Sequence, residues 1–193
     1  MDPRDEKSKL RHAIRERLAA YPERQRHAES RTLCREIIKI LPKGNAFSVA
    51  AYFPLKDEAD VRPLLEELLA RGAKLYLPRF DHKNFSFRLV RDLQSLLPGA
   101  LRIPEPSETA PLLDPSALEY ALIPARAFSP DGHRLGRGNG GYDKWISEQR
   151  KRHPRTKMYG IALECQLFAG IPVEPHDEKV DGIITARGLL TQN

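Results

Sequence analysis

An α/β fold built on an open, mostly parallel sheet flanked by helices is what three features of this chain predict. Short apolar runs alternate with amphipathic stretches of helical period. Strand 46–53, helix 63–71 and strand 73–78 follow one another as a β–α–β unit, whose right-handed crossover makes its two strands parallel. The 193 residues, 40% hydrophobic and 30% charged, have ordinary globular proportions and are enough for one domain with a real core.

Taken in order, residues 5–20 read as a helix with Leu10, Ile14 and Leu18 one turn apart. Lys7, Arg11 and Arg15 make a second stripe at the same spacing, either a solvated basic face or an anion-binding one. A second helix spans 25–41 with Leu33, Ile37 and Leu41 inward, and Pro42-Lys43-Gly44-Asn45 ends it. These two helices form an N-terminal segment, 1–42, of a single domain 1–193. The weakly charged run 46–53 is short enough for a buried strand, and Gly72 caps the helix that follows it. Phe85, Phe87 and Leu89 alternate with polar neighbours as in a half-exposed strand, after a turn at 81–84. Pro98, Pro104, Pro106, Pro111 and Pro115 make 92–118 an irregular excursion, because proline supports neither a long helix nor a central strand. Strands are expected at 120–123, 157–163 and 182–185, with a helix at 142–150 whose basic end, Arg150 to His153, suits the helix dipole.

No apolar run approaches a membrane span and no signal segment leads the chain. Cys34 and Cys165 form no C-x-x-C pair, so two free thiols in a reduced, cytoplasmic protein are expected and a zinc site is not. The net charge of +6 suits polyanionic small molecules as well as nucleic acid.

The densest chemical signal is His133-Arg134-Leu135-Gly136-Arg137-Gly138-Asn139-Gly140-Gly141-Tyr142-Asp143. Closely spaced glycines let a backbone adopt positive φ and approach a ligand. Arg134 and Arg137 are always-protonated planar forks suited to phosphate oxygens, and a helix N-terminus just after them favours an anion. The pattern reads as a phosphate cradle, the alternative being a glycine-rich surface loop with incidental arginines. It is no Walker A loop, since no Lys-Ser/Thr follows. Gly136, Gly138 and Gly141 satisfy G-x-G-x-x-G, but the nearest apolar strand, 120–123, ends well upstream, so the match reads as accidental.

Two carboxylate-rich stretches add candidates. Glu58 follows a strand, at the edge where open α/β sheets bind ligands, and is either a contact for a substrate nitrogen or hydroxyl or plain surface, with Asp57 and Asp60 capping the next helix. The stretch Glu174-Pro175-His176-Asp177-Glu178-Lys179-Val180-Asp181 is either a Mg²⁺ site or a hydrated turn.

Five pieces in order resemble the 5-formyltetrahydrofolate cyclo-ligase family: Lys7-x-x-Leu10-Arg11; Tyr52-x-Pro54-Leu55-x-x-Glu58-Ala59-Asp60; Leu77-Pro78-Arg79; Ile123-Pro124 through Asp143; and Val173-Glu174-x-His176-Asp177-x-x-Val180-Asp181. The resemblance spans nearly the whole chain. It implies a Rossmann-like three-layer fold and an ATP- and Mg²⁺-dependent closure of 5-formyltetrahydrofolate to the 5,10-methenyl compound. In that reaction the formyl oxygen takes the γ-phosphoryl group, the neighbouring amine attacks, and phosphate leaves. It assigns ATP to Lys7, Arg11, Arg134, Leu135, Gly136, Arg137, Gly138, Asn139, Gly140, Gly141 and Tyr142. It assigns the reduced folate to Phe53, Glu58, Arg137, Asn139 and Tyr142, catalysis to Arg134 and Arg137, and Mg²⁺ to Asp143 and Asp177. A monomer is expected, with neither nucleic-acid nor membrane partners.

The sequence departs from the family pattern at three places. Gly141 stands where the family loop has its first Tyr, removing a stacking or hydrogen-bonding partner worth roughly a kcal/mol. Asn139 stands where members carry Lys or Gly, and Ala125 replaces a Gly. Gly141 motivates an alternative in which the acceptor is another small formyl or carboxylate compound. A basic nucleic-acid module using Lys7, Arg11, Arg15 and Arg150 to His153 is the reading from another class. It lacks a recognised motif and interleaved aromatics.

Overall fold

The structure, a computed structural model, describes residues 3–44, 47–81, 84–99 and 103–191. Helices α1 (Pro3–Ala19) and α2 (Glu23–Ile40) lead the chain and turn their apolar stripes inward. Ile14, Leu18, Leu33, Ile37 and Leu41 are all buried. Each such side chain contributes about 1.5–3 kcal/mol by leaving water. Strand β1 (Ser48–Ala50), helix α3 (Arg62–Ala70) and strand β2 (Lys74–Asp81) form the expected unit, with β1 and β2 parallel in the register Val49↔Leu75. Strand β3 (Asn84–Val90) folds back antiparallel on β2.

The excursion then carries a two-residue ladder, β4 (Leu97–Pro98) with β5 (Pro104–Glu105), and crosses back beside β3 through an Arg88–Leu112 bridge. Strand β6 (Tyr120–Pro124) re-enters the sheet. A small ribbon of β7 (Ala127–Phe128) and β8 (Arg134–Leu135) stands off it, followed by α4 (Gly141–Arg152), β9 (Lys157–Ile161), β10 (Gly182–Thr185) and β11 (Gly188–Thr191).

The main sheet runs β11-β10-β9-β6-β1-β2-β3, parallel inside and antiparallel at both edges. Because strand side chains alternate between faces, neighbours go to different cores. Val49, Leu122, Ile161 and Ile184 join the helical core of α1–α3, whereas Ala50, Ile123, Met158 and Ile183 pack with Ile146 of α4. Helices therefore cover both faces, as the three-layer expectation required.

The differences have local reasons. The strand expected at 46–53 is a three-residue ladder, because the chain after Ala50 bends into the ligand-side loop while Ala51 and Tyr52 stay buried. Its expected start, Ala46, the end of the Pro42–Asn45 turn and the centre of the 81–84 turn, His82 and Lys83, lie outside the described residues. The strand expected to reach residue 163 stops at Ile161, and Leu163 instead leads into a short 3-10 turn at Glu164–Gln166. Strand β11 went unforeseen, since Leu189 and Leu190 are both more than a third exposed and lack an alternating pattern. The stripe Lys7, Arg11, Arg15 splits into a buried Lys7, a half-buried Arg11 and an exposed Arg15. The basic end of α4 is not simply solvated, for Arg150 pairs with Glu178 at 3.1 Å and Asp181 at 3.0 Å.

Candidate functional site

Strand β1 is followed by β2 on one side, and β6 returns on the other, so the sheet reverses its direction of growth between β1 and β6. Ligands of open α/β sheets bind outside the strand carboxyl ends at such a reversal. A cavity of ≈ 320 Å³ lies there, reached by Phe53 after β1 and by Pro124 and Ala125 at the end of β6, a size that suits a small-molecule site. Every residue assigned above to ATP, folate or metal lines it, from Lys7 of α1 to Asp177.

The glycine loop forms one wall. It runs from β8 directly into α4, so G-x-G-x-x-G does join a strand to a helix here, although the nearest strand expected, 120–123, ends well upstream. β8 belongs to the side ribbon, however, and not to the main sheet. Gly138 and Gly140 take φ of 102° and 68°, a region that costs other residues steric strain. The Arg11 guanidinium donates from Nε to the Gly136 carbonyl at 3.0 Å and lies against Gly138, tying the loop to α1.

Arg134 is only 5% exposed. Its Nη2 is 2.6 Å from Asp143 Oδ1, yet neither Nε nor Nη2 has a partner in hydrogen-bond alignment. Nη2 is thus held by charge against Asp143, and Nε is the donor with no acceptor among the described residues. An unsatisfied buried donor is costly, about 1–3 kcal/mol, and this one belongs to a residue that lines the cavity. The Tyr142 ring sits 5.7 Å from the same guanidinium and packs tilted against Phe85, with ring centroids 4.9 Å apart. Burial pushes the Tyr142 hydroxyl far up, so it stays protonated.

Lys7 Nζ donates to Glu174 Oε2 at 2.7 Å and to Asp177 Oδ2 at 2.5 Å. Burial by itself lowers the Lys7 pKa, but these two hydrogen bonds outweigh it and hold the ammonium above its ordinary value. Asp177 is the mirror case, raised by burial and brought below the usual carboxylate range by Lys7. Glu174, His176 and Asp177 bring ligand atoms within 4.8 Å of one another. Asp143 stands apart from that group, but its Oδ1 accepts from the Glu178 backbone N–H of the same loop at 3.2 Å.

Glu58 is buried and inside the site, which decides against plain surface. Burial raises its pKa despite the Arg137 guanidinium and the Leu55 backbone N–H, which work in the opposite direction. Asp57 does not cap α3, where Val61 occupies the cap position without a side-chain bond. Its two oxygens accept from Arg137 and, at 2.8 Å, from Arg126. Asp60 alone serves the helix start, accepting from the Arg62 backbone at 3.1 Å.

Sequence reasoning overlooked Arg126 and offered Asp57 only helix capping, as one of two open readings. A lone arginine two residues past the end of a buried strand was the available signal. It also gave the excursion no part in the site, although Ile103, Pro104 and Glu105 form a wall of it.

A family model described as the 5-formyltetrahydrofolate cyclo-ligase family matches residues 3–186. The 5-formyltetrahydrofolate cyclo-ligase of Escherichia coli K12 is 31% identical over 176 residues, 89% of this chain and 96% of that protein. The mouse enzyme of the same name is 28% identical over 185 residues, 91% of each. Among solved structures, Aquifex aeolicus 5,10-methenyltetrahydrofolate synthetase superposes with a TM-score of 0.81 at 30% identity, covering 96% of this chain and 92% of that one. The Mycoplasma pneumoniae synthetase shares the fold at a TM-score of 0.72 and 21% identity, over 96% and 99% of the two chains.

Proposed function

Because this chain belongs to the 5-formyltetrahydrofolate cyclo-ligase family, we propose that it closes 5-formyltetrahydrofolate to 5,10-methenyltetrahydrofolate, consuming ATP with Mg²⁺ and releasing ADP and phosphate. The observation that carries the ATP part is Arg134, a buried guanidinium whose Nε finds no acceptor among the described residues, beside a positive-φ glycine loop. A triphosphate oxygen would serve that Nε.

Arg134, Arg137 and Arg11 then surround the phosphoryl group as it passes to the formyl oxygen, and these fixed cations stabilise the charge that spreads over it. Lys7 exchanges one of its carboxylates for a phosphate oxygen. Phe53 and Tyr142 flank the pterin, while Glu58 orients it or its formyl group. Backbone N–H groups of Gly138, Asn139 and Gly140 serve the phosphates. Asp143 and Asp177 would hold Mg²⁺, because carboxylate oxygens with open positions for phosphate suit that ion, and Glu174 stands beside Asp177. When bound, the ion neutralises phosphate charge. No nucleophilic triad is needed, since the substrate's own oxygen and amine are the nucleophiles. The protein acts as a cytoplasmic monomer on small molecules only; among its described helices none is long and apolar enough to cross a membrane.

The experiment is the rise of the methenyltetrahydrofolate absorbance with purified protein, Mg²⁺, ATP and 5-formyltetrahydrofolate. Product that requires all three additions supports the reading. ATP binding without product would refute the folate assignment and favour another small formyl or carboxylate acceptor, for which the open space at Gly141 leaves room.

A further inference from the structure

A guanidinium carries five N–H donors in one rigid plane. Arg137 commits the Nη2 pair to two carboxylates, Asp57 Oδ1 and, at 3.1 Å, Glu58 Oε1. Its Nε and Nη1 hydrogens make no hydrogen bond among the described residues. The group is thus gripped at one corner, with its other donors left for a ligand in the cavity. Held by Glu58 alone it could pivot about a single bond, whereas two acceptors on one nitrogen fix the plane.

Asp57 cannot follow a moving Arg137, because its second oxygen accepts from Arg126 Nη1 at 2.8 Å. Arg126 is itself anchored just past β6, with its side chain only 14% exposed. Burial, followed by repulsion from Arg137, pulls the Arg126 pKa down, so Asp57 is what lets two close guanidiniums share this wall. Charges held this close and partly desolvated seldom improve stability over an apolar pair, which leaves positioning as their role.

We propose that Asp57, oriented by Arg126, is the positioning residue that sets the plane of Arg137 for phosphoryl transfer. The inference rests on the reaction assigned above. A reacting geometry displaced by about 1 Å costs on the order of 100-fold in rate. With the full-length enzyme, Asp57→Asn should lower kcat by about 10- to 100-fold while KM for 5-formyltetrahydrofolate changes less than about twofold. Asp57→Glu, which keeps the charge, should regain part of the loss. Arg126→Met should lower kcat in the same sense, and the double variant should be no worse than Asp57→Asn, since both act through one contact. A kcat for Asp57→Asn within twofold of the parent, or independent losses that multiply in the double variant, would overturn the proposal. A readout free of turnover is the ¹⁵N spectrum of the Arg137 side chain, where slow rotation of Nη2 in the parent should become fast in Asp57→Asn. If the parent makes no methenyl product, the assigned reaction fails, and this spectrum still decides whether Asp57 fixes Arg137: unchanged rotation sinks it.

Discussion

Lys7 near the start of α1 and Asp177 before β10 lie 170 positions apart and share a hydrogen bond of 2.5 Å. The ammonium also reaches Glu174, so the first helix is clamped to the acidic loop at the rim of the cavity. Lys7→Met would leave two carboxylates facing each other there. Breaking a buried pair costs about 3–5 kcal/mol, and with Glu174 20% exposed the loss should fall near the low end. Lys7 is raised, so its contribution is present below the ordinary lysine value and disappears as pH climbs through its folded value. Asp177 is lowered, so its contribution is present above the ordinary aspartate value and disappears as pH falls through its folded value. Urea unfolding of parent and variant should therefore differ by a constant amount between about pH 7 and pH 9, above the range in which two facing carboxylates share a proton. A gap that varies strongly inside that window would disprove the clamp.

Arg137→Ala removes a cation that touches both Asp57 and Glu58. Loss of one preorganised charge-stabilising donor costs about 10²–10³ in kcat. Arg126 remains to hold Asp57, so the circular-dichroism melt should show an intact fold. Turnover near the parental rate would take Arg137 out of the mechanism.

How much of this was legible in the sequence depends on distance along the chain. The stripes Leu10-Ile14-Leu18 and Leu33-Ile37-Leu41, the β–α–β unit and the glycine loop are local patterns, and each appears where it was expected. Arg134 finds Asp143 inside the motif, but the partners of Arg137 are not local. Arg137 meets Asp57 from 80 positions away, and only the sheet order, with β6 beside β1, brings Arg126 to the same carboxylate. Helix capping was one of two readings open for this stretch, because Asp is a good cap by type, and nothing near Asp57 in sequence announces a guanidinium. The edge strands β3 and β11 reverse direction for a similar reason. Short hairpin connections set their sense, whereas β–α–β spacing predicts only the parallel interior.

Asp143 accepts from the acidic loop through the Glu178 N–H and sits 2.6 Å from Arg134. Asp143→Asn keeps the shape and removes the charge. If this carboxylate holds Mg²⁺, the concentration of the ion needed for half-maximal rate should rise by about 10- to 100-fold. Mg²⁺ titrations that superimpose for parent and variant would rule out the metal role.

Glu58 has a raised pKa caused first by burial. The folded protein therefore binds this proton more tightly than the unfolded chain does. Stability from this group is present below the ordinary glutamate value, about 4.3, and is lost as pH rises through the folded value. Glu58→Gln does not titrate. Plotted as variant minus parent, the melting temperature should climb with pH across that window and then level off. A difference that falls with pH would contradict a raised Glu58.

Gly141 opens α4 without needing a glycine. Its φ is not in the left-handed range, and an added Cβ would meet nothing nearer than the Asn139 side chain at 3.9 Å. Gly140 before it, at φ 68°, is the position that does require one. Gly141→Tyr should therefore fold normally and place a ring at the mouth of the cavity, restoring the residue that the family pattern has there. An aromatic contact of this kind contributes about 0.5–1.5 kcal/mol, which corresponds to a KM for 5-formyltetrahydrofolate lower by about two- to tenfold. KM for ATP should stay put, because the phosphate-facing part of the loop is unchanged. If KM for the folate rises in the variant while the melt is normal, the open space at Gly141 is used by this protein's own substrate and is not merely a missing contact.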